Sequence, residues 1–210
     1  MSLMLNKKSL LGFLSLLFLY ANLVTANAAE PATANTAKQV VDEFQAVLID
    51  TMKQGQQLGY QGRYDKLYPA ITRSHDLTKI ARIVIGKEWD TLTEKQQAEL
   101  VDVFIRLSVA SYAHNFKSFA GESFRFESEE QTSRGGIVVH TSLLIPDSKP
   151  VRFDYMLKEK TNGWSIINII ADGVSDLALK RSEYTSILKS QGFDVLITQI
   201  NEKILNYSKL

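Results

Sequence analysis

Three histidines, His75, His114 and His140, are the residues of this chain best suited to move a proton or bind a metal near neutral pH. Their spacing supports neither role. No two stand at metal-ligand spacing, and no glutamate sits where an HExxH helix would need one. They read as solvated or singly hydrogen-bonded side chains. Ser175 follows Gly173, but no G-x-S-x-G frames it, so the strained turn that exposes a nucleophilic serine is missing. Gly121 and the Gly135-Gly136 pair do not lead into helical patterns, so no phosphate-cradling loop is encoded there. Asp154 and Asp172 could serve as an acid and a base in a sheet-lined cavity, although Asp172 reads more simply as a turn residue. An enzyme of this kind, a hydrolase or isomerase using Asp154 or His140, is one reading of the chain.

The apolar residues point elsewhere. From Gly163 the sequence runs GWSIINIIADGVSDLALKRSEY. Simple alternation puts Trp164, Ile166 and Ile170 on one side of a strand and Ile167 and Ile169 on the other. A strand in a small antiparallel sheet usually leaves one face to water. Two greasy faces need two coverings, and one of them can be a cavity.

The elements that would position such a cavity follow from periodicity. Val40, Phe44, Val47, Leu48 and Met52 form a helical stripe that Gly55 and Gly59 end. A short helix is expected around Tyr64 to Ile71, and another from the cap Asp76 to Ile85, closed by Gly86. Thr93 and Gln96 form a capping box at the head of a long helix running to about Phe116. Leu100, Val103, Phe104, Leu107, Ala110 and Ser111 mark its inner face, and Val101, Ile105 and Val109 make a second side apolar. The period then becomes two. Phe124 and Phe126, Ile137 to Ile145, Val151 to Leu157 and the Trp164 run read as four strands, with hairpin signals at Gly135-Gly136 and Asn162-Gly163. Helices from Ser175 to Ser190 and from Phe193 to about Tyr207 close the chain. The fold class is α+β: a four-stranded antiparallel meander packed against several helices and enclosing an apolar pocket.

The first residues are an address. Lys7 and Lys8 precede an apolar run from Leu10 to Val24 of about 15 residues, and Ala26-Asn27-Ala28 fits the small-x-small cleavage pattern. Residues 1–28 are therefore expected to be a signal peptide, and 29–210 a single exported domain. Removing the leader takes away two lysines and no acid, so the net charge goes from +1 to −1. Such a balance gives no electrostatic footprint for nucleic acid. With no cysteine in the chain, an exported protein must rely on its core alone.

Ile85 to Trp89, Leu92-Thr93 with Gln96-Gln97, Gly163-Trp164 through Gly173-Val174-Ser175 to Arg181-Ser182-Glu183-Tyr184, and Gly192-Phe193-Asp194 together resemble the Mla/toluene-tolerance family of periplasmic substrate-binding proteins. Leu58 to Asp65, Ala110 to Ala113 and Ser175 to Ala178 are similar to its branch associated with hopanoid biosynthesis. Asn168 and Asp172 depart from the residues common in the transport branch. The resemblance implies a monomeric, non-enzymatic shuttle for phospholipid or hopanoid, without a cofactor. Its partners would be an inner-membrane ABC transporter complex and an outer-membrane component. Candidate lipid-contacting residues are Val139, Thr141, Leu143, Phe153, Tyr155, Leu157, Ile166 and Ile170 from the sheet, with Val103, Leu107 and Ala110 from the long helix. Lys180 and Arg181 are candidates for docking a partner. A pocketless accessory subunit of an export complex is the remaining alternative.

Overall fold

The computed structural model describes residues 35–161 and 163–209; the expected leader and Asn162 lie outside them. Helix α1, Ala37–Lys53, starts at a capping box in which the Thr36 hydroxyl accepts from the Gln39 N–H and the Gln39 amide accepts from the Thr36 N–H. Helix α2 spans Gly55–Ser74, well beyond the short helix expected around Tyr64. Its break is confined to Gly59, at φ 60° and ψ −174°, which a side chain would strain. Gly55 starts the helix because nothing larger fits: a Cβ there would lie 2.2 Å from the Lys117 carbonyl oxygen.

Arg63 of α2 is buried, and its Nε and Nη1 donate to the carbonyls of Ala113 and Gly55, each at 2.7 Å. Helix α3, Leu77–Ile85, begins where the Asp76 carboxylate accepts from the Lys79 N–H at 3.0 Å. It ends at Gly86 with φ 63°, and a 3-10 turn, Gly86–Thr91, then buries Trp89. Helix α4, Glu94–Asn115, has the capping box read from Thr93 and Gln96. Helices α5, Asp176–Gln191, and α6, Phe193–Lys209, complete the chain; Ser175 caps α5 through the Ala178 N–H.

The sheet is an antiparallel meander of five strands rather than four: β1 Ser123–Gln131, β2 Gly136–Leu144, β3 Val151–Lys160, β4 Gly163–Ala171 and β5 Val174–Ser175. The added strand has two residues, too short to show a period. It pairs Ser175 with Ile170 and Val174 with Ala171.

Strand β4 corrects the simple alternation. Leu157 pairs with Ile166, but Met156 pairs with Asn168, so Ile167 is an inserted residue. Such a bulge reverses which face later residues occupy. Trp164 and Ile166, opposite Glu159 and Leu157, therefore share the Tyr155 face with Ile169 and Ala171. Ile170 does not; it lies opposite Asp154, on the same face as His140. The register is held from outside the sheet, because His75 bridges to Ile166 and the Asp76 N–H donates to the Ile166 carbonyl at 2.9 Å.

Two apolar cores result. One joins α1, α2 and the end of α4 to the inner sheet face through Phe44, Leu67, Ile71, Val109, Tyr155 and Ile166. The other joins α3 and the first half of α4 to α5 and α6 through Ile85, Phe104, Leu107, Tyr184, Leu196 and Ile200. Helix α4 belongs to both.

Candidate functional site

A cavity of about 190 Å³ lies where the two cores meet. One wall is the far end of β4, with Ile166, Ile167, Ile169 and Ala171, joined by Phe153 of β3. Leu77 and Ile80 of α3 and Leu177 of α5 close other sides. Helix α4 contributes Phe104, Ser108, Ser111, Tyr112 and Asn115, an i, i+4, i+7, i+8, i+11 series that makes one face. A second cavity, about 450 Å³, lies between α4, α5 and α6 and is lined by Leu107, Leu179, Glu183, Lys203 and Tyr207. Ser111, Asp176 and Lys180 border both.

The candidate residues read from the sequence divide among these places. Phe153 and Ile166 line the first cavity and Leu107 the second. Tyr155, Leu157, Val139, Thr141 and Leu143 share the inner sheet face with Phe153, yet they pack as core. Thr141 accepts there from the buried Gln45 amide at 3.0 Å. Val103 and Ala110 are buried among helices. Ile170 is on the other sheet face.

On α4, the face at the first cavity is one residue round from the stripe Val103, Leu107 and Ala110, a rotation of about 100°. The wholly apolar stripe goes to helix packing, with Leu107 also reaching the second cavity, and the mixed stripe with its serines meets the first. Sequence reasoning passed over Tyr112, Phe116, Ile169 and His75. The visible signal was that Ser108, Ser111 and Asn115 repeat at helical spacing inside a helix otherwise apolar on two sides.

Polar groups border both cavities, and charged ones dominate the second, where Asp176, Lys180, Glu183 and Lys203 meet. Lys180, a candidate docking residue from the sequence, is instead largely buried, with 15% of its side chain exposed, and pairs with Asp176. Asn168 accepts from the Ser175 hydroxyl at 3.1 Å and donates to the Met156 sulfur at 3.4 Å. Burial pushes the Tyr112 phenol well above its ordinary range, with the Tyr155 and Asp176 charges adding to it. Burial likewise pushes the His75 ring down to about 4, so it stays neutral at pH 7; the nearby Lys180 charge acts in the same direction.

His140 and Asp154 form a separate cluster on the outer sheet face. His140 Nδ1 is 2.6 Å from Asp154 Oδ1, and Arg152 Nε donates to the same oxygen at 2.8 Å. Partial burial works against the Asp154 charge, but these two bonds outweigh it and hold the carboxyl below its ordinary range. Asp172, at φ 47°, accepts from the Arg152 N–H. No member of this cluster lines the cavity between the cores. Among the described residues no group of His, Cys, Asp and Glu could hold a metal ion, and no helix is long and apolar enough to cross a membrane.

The fold is thus α+β, with a largely apolar cavity between two cores and a lysine at its border. Residues 38–202 match the MlaC protein family, and the chain belongs to that family. Its fold is similar to that of a phospholipid-binding protein from Ralstonia solanacearum, solved in complex with a phospholipid. The two are 18% identical with a TM-score of 0.74, over 83% of this chain and 99% of that one.

Proposed function

We propose that this chain is an exported carrier that holds a phospholipid, or a hopanoid, and moves it between the outer membrane and an inner-membrane transporter without altering it. The leader, residues 1–28, directs it to the periplasm and is removed there. The observation that carries the reading is the cavity between the cores, walled by Phe104, Phe116, Phe153, Ile166, Ile169 and Leu177, in a chain of the MlaC family.

Each methylene withdrawn from water is worth about 0.8 kcal/mol, so a lipid with roughly thirty of them carries about 20–25 kcal/mol of gross hydrophobic free energy. Its bilayer supplies nearly the same, and a carrier must match it by covering whole tails. A 190 Å³ cavity is smaller than the roughly 300–1,000 Å³ of ordinary ligand pockets. Covering whole tails therefore requires the loosely held α5 to move outward, and the 450 Å³ cavity beyond Lys180, bordered by Asp176, Glu183 and Lys203, offers space for a headgroup rather than for tails. Lys180, on the border of both, then meets the phosphate, and Asp176 balances its charge otherwise.

Organic extraction of the mature protein followed by mass spectrometry tests the reading. Phospholipid or hopanoid should co-purify, and delipidated protein should take phosphatidylethanolamine and phosphatidylglycerol from vesicles. Ile169→Trp, at a half-buried wall position, should lower the lipid load several-fold while the protein stays folded. Overpacking here should cost about 1–3 kcal/mol. A lipid-free extract with no uptake, or a chemically changed lipid as product, would overturn it.

A further inference from the structure

We propose that His75 selects, among the lipids this cavity can hold, those that bury a hydroxyl group. The proposal rests on the carrier reading and adds a chemical preference to it.

His75 is 8% exposed, at the junction of α2 and α3, and lines the cavity between the cores. Its ring is held edge-on to Phe44 at 4.9 Å and to Tyr112 at 6.3 Å. Nδ1 lies 2.8 Å from the Ser74 hydroxyl oxygen. A serine hydroxyl has one hydrogen, and Ser74 donates it to the Ala70 carbonyl at 2.7 Å. Ser74 can therefore only accept from His75, which puts the imidazole proton on Nδ1. In the neutral ring the other nitrogen, Nε2, is then a bare lone-pair acceptor.

Nε2 has no partner and is buried. A buried acceptor left unpaired is costly, and only a donor can satisfy it. Most of a phospholipid offers none: its ester carbonyls and phosphate oxygens accept, and its methylenes do neither. The remaining donors are ammonium groups and hydroxyls. Lys180 borders the same cavity, and its like charge disfavours an ammonium beside it. A hydroxyl remains, and it can come from the glycerol of a monoacyl lipid or from a hydroxylated chain.

Two pairs of probes separate these sources, using the delipidated mature chain. The first is 1-oleoyl-2-hydroxy-glycerophosphocholine, whose headgroup has no N–H or O–H donor, against its 2-methoxy analogue. The second is a diacyl phosphatidylcholine with a 12-hydroxyoleoyl chain against its 12-methoxy analogue. In at least one pair the hydroxyl form should bind about tenfold more tightly, as one neutral hydrogen bond in a dry site predicts. The pair that shows it identifies the source. His75→Phe should bring that ratio to about one, and His75→Gln, which keeps an acceptor, should restore part of it. Nitrogen-15 spectra of the wild-type histidines, which need no variant, should show Nε2 move towards a hydrogen-bonded imidazole with the hydroxyl probe alone. Equal affinities within both pairs would overturn the selectivity and leave the carrier reading standing. Failure to bind any of the four probes would overturn both.

Discussion

Helices α4 and α5 both border the two cavities, yet they are held by very different amounts of core. Along α4, Leu100, Val103, Phe104, Leu107, Val109, Ala110 and Ala113 are buried. Along α5 the only apolar residue fully buried is Tyr184, and Leu179 is 59% exposed. One helix belongs to both cores; the other leans on one of them through Tyr184, Leu177, Ile187 and Leu188. A protein that must stay folded and also admit a large apolar guest can give these tasks to different walls. Local opening draws on segments with few buried apolar contacts, and α5 is such a segment.

The largest expected effect tests the fixed wall. Phe104→Ala should cost about 3–5 kcal/mol in urea denaturation, because Phe104 is 1% exposed and packs edge-on against Tyr184. A loss under about 1 kcal/mol would mean that α4 is no more fixed than α5.

The next effect concerns acidity and the wall that carries His75. The folded ring has its pKa at about 4 against the ordinary 6.5, so between those values the unfolded chain binds a proton that the folded chain refuses. Stability should fall as pH drops through that window, by up to about 3 kcal/mol, and should not change on this account above it. Asp154, whose carboxyl is held below its ordinary range, loses its contribution only at lower pH still. Urea midpoints at pH 7 and pH 5 should therefore differ in the wild type and converge in His75→Phe. An unchanged gap in that variant would assign the loss to other groups.

The smallest effect tests the loose wall. Leu179→Ser should change stability by no more than about 0.5 kcal/mol, since the side chain already faces water. Amide exchange should nevertheless be faster along α5 than along α4 in the same protein, and equal protection of the two would remove the distinction.

Much of the frame was legible because its signals are local. Thr93 with Gln96, and Asp76, each announced a helix start through capping chemistry that needs only three or four residues of context. The alternation of Phe153, Tyr155 and Leu157 likewise sufficed to identify β3 and its inner face. The site was less legible because its signals are not local. The Ile167 bulge exists only in the pairing of β4 with β3 and in the grip of His75 and Asp76 on Ile166, so no reading of β4 alone could place Ile170. On α4, two apolar sides left the cavity face undecided, and packing against other helices claimed the greasier one. Lys180 read as a surface charge because its burial depends on what α5 lies against.

Arg63 carries a consequence for the molecule as a whole. Its guanidinium spans the carbonyl of Gly55, where α2 begins, and that of Ala113, near the end of α4. Ala113 lies at the carbonyl end of α4, the negative pole of that helix, so a cation is favoured there without a carboxylate. Neither member of this pairing titrates between mildly acid and alkaline conditions, since a guanidinium keeps its charge and a carbonyl has none to lose. The fixed wall is thus buckled to its neighbour by a fastener that acid cannot undo, even where the His75 imidazole responds.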